Sequence, residues 1–200
     1  SQAKKTVTDN TTANVTANLI VDKRDITVQA KAVKKTYGTD DPTLTLDKVT
    51  SGSLANDDKL GDLGVVLKRS DDQNPNVGTY IISEDKDKSK LNSNYNITVT
   101  DADFVIDQAP VELAVKGSTE ITYGETPQFD IRDVSGKVTL NTSNLKLSDF
   151  EAVGGPTDLT KLDANETGYT IDLTKVGLDK LLAANPNYNS VTDAVSYTHL

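Results

Sequence analysis

Lys35-Thr36-Tyr37-Gly38 returns 86 residues later as Ile121-Thr122-Tyr123-Gly124, and each copy is followed within a few residues by a proline, Pro42 and Pro127. Three further landmarks keep the same order. Val77-Gly78-Thr79-Tyr80-Ile81 matches Thr167-Gly168-Tyr169-Thr170-Ile171, Asn94-Tyr95-Asn96 matches Asn187-Tyr188-Asn189, and Val99-Thr100-Asp101-Ala102 matches Val191-Thr192-Asp193-Ala194. The spacing drifts from 86 to 93 residues, as when insertions collect in the loops of a shared fold. A self-similarity of this period marks an array of small units and not one large domain.

The repeat extends towards the N-terminus. Ala17-Asn18-Leu19-Ile20-Val21-Asp22 aligns with Ala102-Asp103-Phe104-Val105-Ile106-Asp107 at a spacing of 85. Residues 1–24 are therefore expected to end a preceding, truncated repeat, residues 25–108 to form a first repeat and residues 109–200 a second, divergent one. The same reading makes the chain a segment of a longer array. The joints Asp22-Lys23-Arg24 and Asp107-Gln108-Ala109-Pro110 are short and lack a Gly/Ser stretch, and Pro110 restricts the backbone at and before it. Two units lying end to end as a rod are expected.

Within a repeat the apolar period is mostly two. Ile26, Val28, Ala30 and Ala32 alternate with polar residues; Leu44 and Leu46 flank Thr45; Val66–Lys68, Tyr80–Ile82 and Tyr95–Val99 supply three more strands. Asp40-Asp41-Pro42, Ser51-Gly52, the 71–76 segment and Asn92–Asn94 separate them with turn chemistry. One helix is expected over Thr174–Ala184, capped by Thr174, with Leu178, Leu181 and Leu182 as its apolar stripe and Pro186 beyond its end. The corresponding Asp85–Leu91 of the first copy is shorter and charged, enough for one turn. The fold class is thus mainly β, with α+β as a variant. Two tandem small β domains are expected, either β-grasp-like, with a helix across a sheet, or immunoglobulin-like.

Composition limits function. Leu, Ile, Val and Phe make up 50 of the 200 residues, enough for a lean core, while Thr (26), Asp (24) and Asn (15) suit strands and turns. A net charge of −9, with only three Arg, argues against nucleic acid and against anionic membranes. No apolar run reaches the roughly 18 residues of a membrane span. With no Cys there is no disulfide framework, thiolate metal site or thiol nucleophile.

The landmarks resemble the MBG-type repeats of the Tyr-Gly (YGX) class found in bacterial surface proteins. The likeness rests on Lys35–Gly38 with Asp41-Pro42 and Leu44-Thr45-Leu46, on Ser51–Leu54, Asn76–Tyr80 and Asn94–Ile97, and on Ala102-Asp103-Phe104. The second copy departs from it at Glu125-Thr126-Pro127 and through 137–162. The resemblance implies an extracellular location on a Gram-positive cell wall and a role in adhesion or display. On that basis the chain is expected to be a non-catalytic stalk module of a surface adhesin, with weak multivalent contact to mucin or other glycans. A carbohydrate-binding module attached to a secreted glycan-active enzyme is the alternative. The expected partners are neighbouring repeats of the same chain, and the expected state is a monomer.

No catalytic residue is expected. The single His, His199, has no evident partners, and the pairs Asp40-Asp41, Asp57-Asp58 and Asp71-Asp72 fall in turns, where Asp bonds the backbone. No cofactor is expected; calcium at Asp85 and Asp87 is the one metal reading left open. Their 1-3-5 spacing with Ser89 is that of a calcium loop, but lysines interleave and the required Gly is absent. Tyr37 and Tyr123 are the candidate glycan contacts, since a Tyr ring can stack on a sugar. The structural alternative is a ring packed over the core edge beside a Gly that takes a positive φ. Lys–Asn or Lys–Asp cross-links have too many candidate pairs, with 18 Lys and 39 Asn plus Asp, for one to be chosen.

Overall fold

The computed structural model describes residues 15–70, 73–191 and 196–197. The first unit comprises β1 (Arg24–Ala30), β2 (Val33–Thr36), β3 (Leu46–Gly52), β4 (Leu67–Arg69), β5 (Gly78–Glu84), β6 (Tyr95–Thr100) and β7 (Ala102–Asp107). The second comprises β8 (Ala109–Val111), β9 (Leu113–Gly117), β10 (Phe129–Asp133), β11 (Phe150–Ala152), β12 (Ile171–Leu173), α1 (Lys175–Ala184), β13 (Tyr188–Ser190) and β14 (Ser196–Tyr197).

Five strands per unit account for this, because the first and last are each bent into two pieces. β1 runs parallel to β6, and β2 runs parallel to β7, so the two bent strands travel side by side. β3 pairs antiparallel with β1 on one flank; β5 pairs antiparallel with β7 on the other, and β4 with β5. The second unit repeats the plan with β8 and β9 together in the place of β1: β8 runs parallel to β13, β10 pairs with β9, β12 with β14, and β11 with β12, and among the described residues no strand takes the place of β2. Writing the bent strands as one each, both units have the order second-first-fifth-fourth-third. The parallel central pair separates this fold from an immunoglobulin-like sandwich, whose sheets are antiparallel. The mixed sheet fits the β-grasp-like alternative.

The bend corrects the expected alternation. Ile26, Val28 and Ala30 are buried as the period-two pattern requires, but Ala32 is exposed. The chain leaves the first sheet at Lys31, whose amide bonds Thr45 O at 2.8 Å, and enters the second sheet at Val33. Leu44 likewise lies outside β3. It packs with Ala30, Ile82, Phe104 and Ile106, whereas Leu46 packs with Ile26, Val28, Leu63 and Tyr95. One apparent strand therefore feeds two cores.

The second unit holds a single core of Val111, Leu113, Val115, Ile131, Phe150, Ala152, Leu159, Ile171 and Leu181. Leu181 reaches it from α1, and Leu178 packs at its margin. Thr174 caps the helix as expected, its hydroxyl accepting from Gly177 N at 3.0 Å. Gly177 sits in the first turn of the helix for lack of room: a Cβ there would lie 2.6 Å from Asp149 O. In the first unit the matching stretch, Asp85–Leu91, forms only turns.

Candidate functional site

Each Tyr-Gly pair forms a turn, and the turn explains the motif. Thr39 N bonds Thr36 O at 3.2 Å with Gly38 at φ +82°; Glu125 N bonds Thr122 O at 2.9 Å with Gly124 at φ +93°. A positive φ at the third residue is the demand of a type II turn, which Gly meets without strain. Neither glycine has another atom within 4 Å of a Cβ position, so the conformation and not crowding calls for Gly.

The two tyrosines in these turns meet different surroundings. Tyr37 is half-buried, packs on the core around Phe104, and touches Tyr188 of the second unit edge-on at 5.4 Å. Asn187 completes that joint. Its Oδ1 accepts from Val77 N at 2.9 Å, and its Nδ2 donates to Asn76 Oδ1 at 3.0 Å. Gln108 Nε2 donates to Pro186 O at 3.0 Å, and Ala109 N to Asn187 O at 2.9 Å. Burial pushes the Tyr188 hydroxyl up from its ordinary value, with Tyr37 adding to the shift. A joint of one residue between β7 and β8 is thus braced by side chains from both units.

Tyr123 is 74% exposed, which corrects the expectation that both rings pack over a core edge. Among the described residues no strand comparable to β2 follows Gly117, and the turn stands beside a cleft. That cleft, about 590 Å³, lies between 118–123 and 162–169, with Phe129 and Ile171 at its floor. Tyr123, Tyr169, Asn165, Glu120, Asp163 and Glu166 bring aromatic and polar groups to it. Of the two candidate glycan contacts, Tyr37 is committed to the joint and Tyr123 alone faces a cavity.

Residues 26–105 match the MBG domain of the YGX type, and residues 111–199 match the MBG domain. The chain is a tandem pair of MBG domains. No curated protein and no solved structure matches it. MBG domains are binding and repeat modules associated with mucus-binding adhesins.

The remaining candidate residues of the first MBG domain act locally. Asp85 Oδ1 accepts from Asp87 N at 3.2 Å, and Asp87 Oδ1 from Ser89 N at 3.0 Å, a succession of Asx turns. The bond from Ser89 N holds the Asp87 carboxyl below its ordinary value. Among the described residues no three acidic or His side chains gather in a metal-sized group. Asp41 accepts from Lys35, six positions away, at 2.5 Å, while Asp58 is the exception that reaches a distant segment, accepting from the Tyr95 hydroxyl at 2.5 Å. His199 and the pair Asp71-Asp72 lie outside the described residues.

Three arrangements of the MBG pair were not foreseen. Arg69 is buried between two rings, 4.5 Å from the centroid of Tyr80 and 4.3 Å from that of Phe104, and donates to Asn74 O at 2.6 Å. Asp149, also buried, accepts from Lys180 at 2.6 Å and from Lys146 N at 2.7 Å. Burial alone would raise its carboxyl; Lys180 and the backbone bond outweigh that and hold it low. Asn185, buried at the end of α1, donates to Asn141 O and Leu181 O and accepts from Asn141 N. A sequence signal existed for Asn185, an Asn before Pro186 at a helix end, but none for the other two.

Proposed function

We propose that this pair of MBG domains serves as a non-catalytic stalk and display segment of an extracellular Gram-positive adhesin. The observation that carries the reading is the joint, in which Asn187 and Tyr188 of one domain grip Asn76, Val77 and Tyr37 of the other across a one-residue link. A repeat that braces its neighbour transmits position along a chain of domains, which is what spacing a distal binding region from a cell wall requires. Weak contact to mucin glycans multiplied over many copies would add avidity without a tight single site.

The open cleft of the second domain favours a second reading, a carbohydrate-binding module. Its Tyr123 ring and its Asn165 and Asp163 side chains offer the stacking face and polar groups a sugar requires. Binding of the chain to mucin and to a glycan array separates the two. Saturable binding to a defined sugar, lost on Tyr123→Ala and kept on Tyr37→Phe, would establish the binding module. No binding at any accessible concentration would leave the stalk role.

A further inference from the structure

The first and last strands of the first domain lie side by side and point the same way. Arg24–Gln29 runs in register with Tyr95–Thr100, and beyond the bend Val33–Thr36 runs in register with Phe104–Asp107. Arg24 N donates to Asn94 O at 2.9 Å where this ladder begins, and Tyr37 N donates to Asp107 O at 2.8 Å where it ends. Side chains cross it at both ends. Asn96 Nδ2 donates to Asp25 Oδ1 at 2.8 Å, and Lys34 Nζ stands 3.2 Å from Asp107 Oδ2. The Tyr95 hydroxyl fastens the start of β6 to the preceding loop, accepting from Ala55 N at 2.9 Å and donating to Asp58 at 2.5 Å.

The chain enters this domain at Arg24 and leaves it at Asp107, at opposite ends of the ladder. Tension along the chain therefore draws β1 and β2 one way and β6 and β7 the other, along the strand axis. The bonds of a parallel ladder are evenly spaced, so sliding loads them together and none opens ahead of its neighbours. Strands pulled apart from one shared end would instead part bond by bond. The ladder is also shielded. β1 lies between β3 and β6, and β7 between β2 and β5. Ile26, Val28, Tyr95, Phe104 and Ile106 on these strands are at most 5% exposed, which keeps water from replacing a bond as it stretches.

The second domain opens in the same manner. Ala109 N donates to Asn187 O at 2.9 Å, and Ala109–Val111 runs parallel to Tyr188–Ser190. The repeated Asn-Tyr-Asn landmark thus marks, in both domains, where the last strand joins the first. Gln108 alone separates β7 from β8, so tension passes between the domains through the main chain with no loop to take up length. We infer that the parallel pairing of first and last strands is a shear clamp, by which each domain bears tension applied along the chain. The inference deepens the stalk reading and rests on it for its use, since a stalk is pulled from its two ends.

The 200-residue chain has no cysteine, so two introduced thiols fix where force is applied to it in optical tweezers. Lys23→Cys/Glu112→Cys pulls the first domain along the ladder. Lys23→Cys/Ser51→Cys pulls β1 and β3 apart from one end of their antiparallel pair, where Ile26 meets Gly52 and Thr27 meets Ser51. All three side chains are exposed, so both variants keep the fold. Held at equal force, the domain should survive roughly a hundredfold longer or more along the ladder than when peeled. Several bonds must break at once in the first case, and forced unfolding follows the unfolding rate. Equal lifetimes, or a shorter one along the ladder, would overturn the clamp. That outcome would leave the stalk reading in place, because glycan binding decides it separately.

Discussion

The ring of Tyr37 meets the ring of Tyr188 edge-on across the joint between the two MBG domains, with 5.4 Å between centroids and 80° between planes. Edge-to-face pairs of this kind contribute about 0.5–1.5 kcal/mol beyond the area they bury. A double-mutant cycle with Tyr37→Ala and Tyr188→Ala, read by urea unfolding, should return a coupling in that range. Additive single losses would mean that the two domains do not use the contact.

Asn187→Ala should loosen the same joint without touching either core. It removes the partners of Val77 N and of Asn76 Oδ1, at a cost of about 1–2 kcal/mol for groups only partly buried. Calorimetry should then resolve two transitions further apart than in the wild type. An unchanged profile would place the coupling between domains elsewhere.

Arg69→Lys should behave as a large change despite the retained charge. An ammonium cannot lie flat between Tyr80 and Phe104 while reaching Asn74 O. The expected loss is about 1–2 kcal/mol of unfolding free energy, confined to the first domain. A melting temperature within error of the wild type would refute the packing role.

Acid should weaken the second domain in a way Lys180 controls. Asp149 and Asp133 both have folded carboxyl values below the ordinary 3.8, Asp149 through Lys180 against its own burial, Asp133 chiefly through the Ser135 hydroxyl. A depressed value means the folded state binds fewer protons, so the stabilisation is full above about pH 4 and is lost as pH falls through the folded values. Lys180→Met should cost about 1–3 kcal/mol at pH 7 and progressively less as pH falls through the folded value of Asp149. A penalty independent of pH would contradict the assignment.

Asp172 should act with the opposite sign. Burial raises its carboxyl, with Glu151 directly across the β11–β12 pair adding to the shift, and Oδ1 has no hydrogen-bond partner among the described residues. The folded state then binds the proton more tightly than the unfolded chain, so stability falls as pH rises from about 4 through the folded value. Asp172→Asn should stabilise the chain by about 0.5 kcal/mol or more at pH 7 and by nothing near pH 3. Equal effects at both pH values would exclude the charge repulsion.

What the sequence by itself determined was whatever depends on neighbours a few positions apart. The duplicated landmarks set two units; the period of two placed the strands; Tyr37-Gly38 and Tyr123-Gly124 announced their turns; Thr174 and Pro186 bounded the helix. Each is a local matter of backbone preference or capping. Tertiary structure alone decided the rest, because burial depends on which surfaces meet. Ala32 continues an alternating run yet is exposed, since the strand crosses between sheets at Lys31. Identical Tyr-Gly turns part company because Tyr188 and the core around Phe104 await Tyr37, while Tyr123 borders a cleft. Lys180 and Asp149 stand 31 residues apart, and nothing local joins them; only the docking of α1 against the turn before β11 does. The central parallel pair belongs to the same class, for period-two patterning is blind to strand direction, and only long-range pairing of β1 with β6 and of β8 with β13 sets it.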